Sequence, residues 1–284
     1  VRPEITAALA VAADHGLAVT EPVVLAERSN LVIHLRPYPV VARVATRTAA
    51  ARPNGAEDWL RREVALLAHL RGRHAVPPVD LLPPGPHTRH GFRMVFAGFV
   101  DHRVSEPDPR ALGRSLRELH VALADYRGDL PELGLITEAG TWLGQVDPHR
   151  HELSALREEH AEIVERLRKI APPFQALHGD AHAGNVLPTA DGPRWTDFED
   201  SFRGPVEWDV ACLITKTLVT GWGERGLNDV GAVLRGYGLD GRGPLLDLMV
   251  RARALVGVAW LLRRAITDPD AHRRARPWID WIVR

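Results

Sequence analysis

Cysteine, lysine, long apolar runs and an excess of either charge are scarce or missing in this 284-residue chain. One cysteine, Cys212, permits no intramolecular disulfide and points to a reducing compartment. Set in an apolar segment, it reads as a small core side chain. The longest apolar run, Ala254 to Leu262, stands between two arginines and falls far short of the roughly 20 residues that span a bilayer. With no secretory pattern at the start, the expected location is cytoplasmic. Lys+Arg and Asp+Glu both number 36, so no bulk field draws the chain to nucleic acid or to an anionic membrane. The cations are almost all arginine, since Lys169 and Lys216 are the only lysines.

A Walker-type phosphate loop, G-x-x-x-x-G-K-[ST], is also missing. Gly221-Trp-Gly-Glu-Arg-Gly226 does match G-x-G-x-x-G, and Cys212 to Thr220 before it is β-branched enough to pass for a strand. A dinucleotide fold needs parallel β-α-β units around such a loop, and the short remainder of the chain offers no convincing strand. The segment reads as a turn between helices.

What is present is concentrated in two short blocks, His178-Gly-Asp-Ala-His-Ala-Gly-Asn185 and Trp195-Thr-Asp-Phe-Glu199. Between them, Asn185 to Leu187 and Arg194 to Thr196 read as strands joined at the turn signal Asp191-Gly192. A tight hairpin brings its ends together, so Asp180, Asn185 and Asp197 are expected to converge. That donor set suits phosphoryl transfer from a nucleotide. Asp180 can accept the proton of an attacking hydroxyl, and Asn185 and Asp197 offer oxygen ligands to Mg²⁺.

These blocks carry a family resemblance. His178, Gly179, Asp180, His182 and Asn185 fit H-G-D-x-H-x-x-N, Asp197-Phe198-Glu199 fits D-[FW]-[ED], and Gly204 to Ala211 fits G-P-x-x-[WY]-D-[LV]-A. In that order they resemble the aminoglycoside phosphotransferase group of small-molecule kinases, relatives of the protein kinases. The resemblance implies a two-lobed α+β protein-kinase-like fold. Residues 1–98 would form a small antiparallel-sheet lobe that binds nucleotide, and residues 99–284 a mainly helical catalytic and substrate lobe. It implies ATP (GTP not excluded) with Mg²⁺ and a small-molecule hydroxyl as acceptor.

The small lobe echoes the family with departures. Leu31 to Arg36 and Val40 to Val44 read as strands, and Glu57 to Leu70 as a helix. Arg43 and Glu63 stand where kinases place the phosphate-holding Lys and its helix Glu; an Arg binds phosphate with a different, forked geometry. The phosphate-covering turn, Ala26 to Asn30, lacks glycine, which leaves Ser29 and Asn30 to cover the phosphates. Phe92 to Ala97 reads as the last strand and Gly98 to Asp101 as the linker, whose backbone at Gly98 and Val100 would bond adenine. Pro77 to Gly91 reads as loop or irregular strand. His182 is placed to touch the γ-phosphate or to make a structural bond, and His178 and Asp209 read as loop braces. Glu199 would lie near a second metal or in solvent.

Beyond the linker the chain reads as helix. Leu112, Leu116, Leu119 and Leu123 share one face, as do Leu153, Leu156, Ile163 and Leu167. A leading helix, Pro3 to His15, and two final ones, Pro244 to Ile266 and Asp268 to Val283, complete the expectation. From Asp240 to Arg284 nine Arg face five Asp, which favours a neutral or weakly charged acceptor over a polycation, unless Glu132, Glu138 or Glu159 supplies the opposite charge. Two other classes stay open. A pseudokinase would bind nucleotide without transfer, and Gly-Asp-x-His also suits a two-metal phosphoesterase, which needs further His and Asp ligands. The pairs His87/His90 and His149/His151 lie in regions with no carboxylate constellation and read as solvated.

Overall fold

A computed structural model describes residues 2–27, 29–46, 56–103, 108–220, 225–265 and 268–283. By contact the chain forms two units. One joins Val1–Ser105, Tyr126–Asp129 and Val186–Glu199, and the other joins Glu106–Asp125, Leu130–Asn185 and Asp200–Arg284.

The first unit is built on an antiparallel sheet of β1 (Glu21–Glu27), β2 (Asn30–Arg36), β3 (Val40–Ala45), β4 (His87–Arg89) and β5 (Phe92–Gly98), in the order β1-β2-β3-β5-β4. Leu31, Ile33 and Leu35 of β2 lie in one buried cluster with Val40, Ala42, Val44, Met94 and Phe96. Helix α1 (Pro3–Asp14) adds Ile5, Ala8, Val11 and Ala12 to that cluster. Side chains alternate across a strand, so Arg43 and its cross-strand partner Val95 take the opposite face. There Ala45 and Val95 pack with Leu60 and Val64 of α2 (Ala56–Leu70). Leu60, Glu63, Leu67 and Leu70 recur at helical spacing on the buried side of α2, which delivers a carboxylate to the face that carries Arg43.

The strands predicted over Leu31 to Arg36, Val40 to Val44 and Phe92 to Ala97 are present, each within a residue. β1 was not expected, because its side chains are exposed or half-buried throughout and show no apolar alternation. A second strand pair belongs to this unit although it lies far along the chain. β7 (Val186–Thr189) and β8 (Gly192–Trp195) pair from Val186↔Trp195 to Thr189↔Gly192. Gly192 takes φ +107° at the turn, a value that glycine reaches without a Cβ penalty. The hairpin is tied down by the Trp195 N–H donating to the His74 carbonyl at 2.8 Å and the Val76 N–H donating to the Trp195 carbonyl at 2.9 Å.

The second unit is mainly helical. Its helices are α3 (Pro109–Leu123), α4 (Gly134–Gln145), α5 (Leu153–Ile170), α6 (Glu207–Thr220), α7 (Arg225–Tyr237), α8 (Pro244–Arg264) and α9 (Pro269–Ile282). The two leucine-rich stripes of α3 and α5 are buried as expected. α8 buries Leu246, Met249, Val250, Leu255 and Leu262, among others, and packs against α4, α5, α6 and α9. Cys212 to Thr220 is helical, within α6, so the dinucleotide reading loses the strand it requires. Residues 221–224 of the glycine motif lie outside the described residues. The strands β6 (Gln175–Ala176) and β9 (Arg203–Gly204) pair antiparallel and flank the His178 loop and its continuation. No described helix is long and apolar enough to cross a membrane.

Candidate active site

In the first unit the central residue is Arg43. Its guanidinium forms an ion pair with Glu63 of α2, lies 3.1 Å from Asp197 Oδ1 and 2.5 Å from Glu199 Oε2. Asn30 Nδ2 donates to the same Glu199 oxygen at 3.0 Å. Arg43, Glu63 and Glu199 are buried. A lysine ammonium is a point charge, whereas the planar guanidinium carries five donors in a fork. Three acids around one cation are therefore a reason for Arg here. Asp197 takes φ +68°, a left-handed conformation in which Asp is enriched.

Glu199 thus departs from the expectation that placed it in solvent. It is neither in solvent nor open, but is held by Arg43 and Asn30. The signal for this existed only as a missing Lys, because the Arg in its place has a fork of donors that can reach more than one acid. Asn30, expected to cover phosphate, has its amide nitrogen engaged with Glu199. The Ser29 carbonyl accepts from Thr46 Oγ1 at 3.0 Å. At the linker, the Gly98 N–H donates to the Pro77 carbonyl at 2.9 Å and the Val100 carbonyl receives the His102 ring at 2.9 Å. A cavity of about 540 Å³ in this unit is bounded by Pro77, Val100, Arg103, Pro188 and Arg194, among others. Of the expected site residues it takes in Val100 alone.

In the second unit the His178 loop is braced from below. Asp209, fully buried, accepts the backbone N–H of His178 at 2.8 Å and that of Gly179 at 2.9 Å, and meets His120 Nε2 at 3.0 Å. Trp208 Nε1 donates to the Gly179 carbonyl at 2.7 Å, so the Trp-Asp pair of the third motif grips the first. Gly179 sits at φ +89°, and an added Cβ would collide with the Asp200 carbonyl. The glycine of H-G-D is therefore a packing requirement. His178 is buried, and its Nδ1 accepts the Asp180 N–H at 3.3 Å, a brace as expected.

Asp180 projects from that loop with one oxygen occupied. Arg253 Nη2 of α8 lies 2.8 Å from Oδ1, and His182 Nε2 lies 3.4 Å from Oδ2. Burial by itself pushes the Asp180 carboxyl up, but the His182 ring and the Arg253 guanidinium outweigh it and hold the group well below the usual carboxylate range. Asn185 Nδ2 donates to the Asp180 carbonyl at 3.0 Å, which fixes the amide and leaves its oxygen for a cation. His182 Nδ1 accepts the Gly184 N–H at 3.0 Å. Among the described residues no three His, Cys, Asp or Glu side chains gather as a complete metal shell. By donor chemistry alone, the Asn185 amide oxygen and the Asp197 carboxylate are each the kind of oxygen that Mg²⁺ takes.

Arg253 entered the sequence reading only as one of nine arginines. Nothing local distinguishes it except a charge set between apolar neighbours.

The sequence profile described as "phosphotransferase enzyme family" matches residues 50–248. Stress response kinase A of Escherichia coli K12 is 29% identical over 113 residues, an alignment covering 36% of this chain and 30% of that protein. The chain thus spans under a third of that relative's length. An aminoglycoside phosphotransferase solved with GDP and kanamycin superposes with a TM-score of 0.70 at 17% identity, covering 97% of both chains. Amicoumacin kinase hAmiN, solved with AMP-PNP and Ca²⁺, gives 0.68 at 16% identity, covering 92% of this chain and 87% of the other. At such identities the solved structures establish the kinase-like fold.

Proposed function

Since the chain belongs to the phosphotransferase enzyme family, we propose that it transfers the γ-phosphoryl group of ATP, or of GTP, to a hydroxyl of a small molecule. The observation that carries this reading is Asp180, tied to Arg253 and fixed on a loop braced by Asp209 and Trp208. Asp180 aligns the acceptor hydroxyl and takes its proton late in a loose transition state, where alignment counts for more than basicity. Asn185 and Asp197 would hold Mg²⁺, which when bound neutralises phosphate charge. Arg43, held by Glu63 and Glu199, binds nucleotide phosphate, with Ser29 and Asn30 covering it and His182 touching the γ-phosphate. The linker backbone at Gly98 and Val100 receives the base. Gly98 would do so through its carbonyl, because its N–H is spent on Pro77. Functionally, residues 1–98 are the nucleotide-binding part, and residues 99–284 the catalytic and substrate part.

Two relatives' ligands, GDP with kanamycin and AMP-PNP with Ca²⁺, support a nucleotide and a divalent cation here. A phosphoesterase is disfavoured because the described residues lack a multi-ligand metal cluster. The acceptor is less constrained. Several C-terminal arginines are spent internally, Arg251 on Glu159, Arg264 on Asp268 and Arg276 on Asp280, and Glu159 is thereby spent too. Arg253 remains at Asp180, and with it the preference for a neutral or weakly charged acceptor.

ADP release from MgATP is the test, with kanamycin, amicoumacin, choline, homoserine and glucose as an acceptor panel. Acceptor-dependent release is expected, greater in kcat/KM for a neutral or weakly charged member than for kanamycin. A higher value for kanamycin would reverse the acceptor class, and no release with any acceptor, with GTP as well, would favour the pseudokinase. Asp197→Ala is expected to abolish the Mg²⁺ dependence of ATP binding, since Asn185 alone cannot hold the ion. Superimposable Mg²⁺ titrations of the two proteins would remove Asp197 from the metal site.

A further inference from the structure

Arg253 sits in the middle of α8 between the buried Ala252 and Ala254, with Val250, Leu255 and Val256 close in sequence and also buried. A guanidinium in such a setting is costly unless it is paired. Its partner, 73 positions away, is Asp180, and the two side chains are 22% and 25% exposed. Nε of Arg253 is buried without a hydrogen-bond partner. The Cys212 thiol and the Asp200 carboxylate also lie near the guanidinium, but the hydrogen bond at 2.8 Å goes to Asp180. α8 packs against four helices, α4, α5, α6 and α9, so the guanidinium is delivered from a packed helix and not from a loop.

We propose that Arg253 is a positioning residue for the proton acceptor. It pins Oδ1 of Asp180, so that Oδ2 is the oxygen presented to the acceptor hydroxyl. The inference rests on the reading of Asp180 given above. The terminal torsion of Asp is broad and nearly two-fold, so a carboxylate without such a tie offers either oxygen in a range of orientations. His182 approaches Oδ2 at 3.4 Å, a longer and weaker contact than the 2.8 Å bond to Oδ1, so Oδ2 is the less tightly held oxygen and the one open to exchange for the hydroxyl. The tie makes Asp180 a weaker base. In a transition state where the proton moves late, a fixed geometry is worth more than that basicity.

The experiment compares Arg253→Gln, Arg253→Lys, Asp180→Asn and the double variant Asp180→Asn/Arg253→Gln, with MgATP and the panel acceptor of highest kcat/KM. Arg253→Gln is expected to lower kcat by about 10²-fold, the scale of a misplaced catalytic group, with the KM for ATP essentially unchanged. Arg253→Lys restores part of the loss. The double variant is no slower than Asp180→Asn, because both changes act on one group. A kcat near wild type for Arg253→Gln, or losses that multiply in the double variant, would overturn the proposal. Circular dichroism and thermal midpoints accompany each protein. Should Arg253→Gln fail to fold, Arg253→Lys decides, since it keeps the charge without the fork, and an undiminished kcat there counts against the role. An active Asp180→Asn would instead refute the reading of Asp180 itself, a result distinct from an inactive Asp180→Asn beside an unaffected Arg253→Gln.

Discussion

Replacing Asp180 with Asn is expected to lower kcat by about 10²–10⁴-fold, the usual contribution of a positioned proton acceptor, while nucleotide affinity stays close to wild type. The amide keeps the shape of the side chain and can still accept from Arg253 Nη2 through its oxygen, so the loop held by Asp209 and Trp208 has no reason to move. What is lost is the negative charge and the second accepting oxygen. Burst-free steady-state kinetics together with a nucleotide-binding isotherm separate these effects. A kcat within a few-fold of wild type would dismiss Asp180 as the base, since even a modest acid–base role is worth more than that.

Replacing Arg43 with Ala is expected to be costly twice over. Glu63, Glu199 and Asp197 lose the cation that pairs all three, and Glu63 and Glu199 are only 4% and 6% exposed. Stranding buried charge by removing its partner typically costs about 3–5 kcal/mol, which would appear as a large fall in the urea midpoint. The KM for ATP should rise several-fold as well. Arg43→Lys should recover part of both losses, the charge but not the fork. Arg43→Ala with an unchanged urea midpoint would mean that the three acids are satisfied in another way. An unchanged KM beside a fallen midpoint would confine Arg43 to a structural role.

The parts of this protein legible in the sequence are those written in local signals. β2 and β3 alternate apolar residues, α2 spaces Leu60, Glu63 and Leu67 for one face, and the three catalytic motifs carry their own residue types. Asp209 could be read as a brace because its motif lies close behind the loop it supports. What stayed hidden depends on partners distant in sequence. Arg253 has no meaning without Asp180, and Glu199 has none without Arg43 and Asn30. β1 escaped because a strand exposed along its length need not alternate. The engagement of the Gly98 N–H by Pro77 is a backbone event, and no side chain announces it.

The β7–β8 hairpin has a consequence for how the chain is made. Domains emerging from a ribosome tend to fold one after another as their segments appear. Here the unit built on β1 to β5 includes Val186–Glu199, so it stays unfinished until that distant hairpin has been synthesised. Until then His74 and Val76 lack the backbone partner they find in Trp195, and Arg43 has Glu63 but neither Asp197 nor Glu199. The Arg43 guanidinium and the Asp197 carboxylate thus meet in the same late event, a long-range closure of the kind that slows folding. Nascent chains interrupted before that point carry an Arg43 cluster in which the cation meets a single acid.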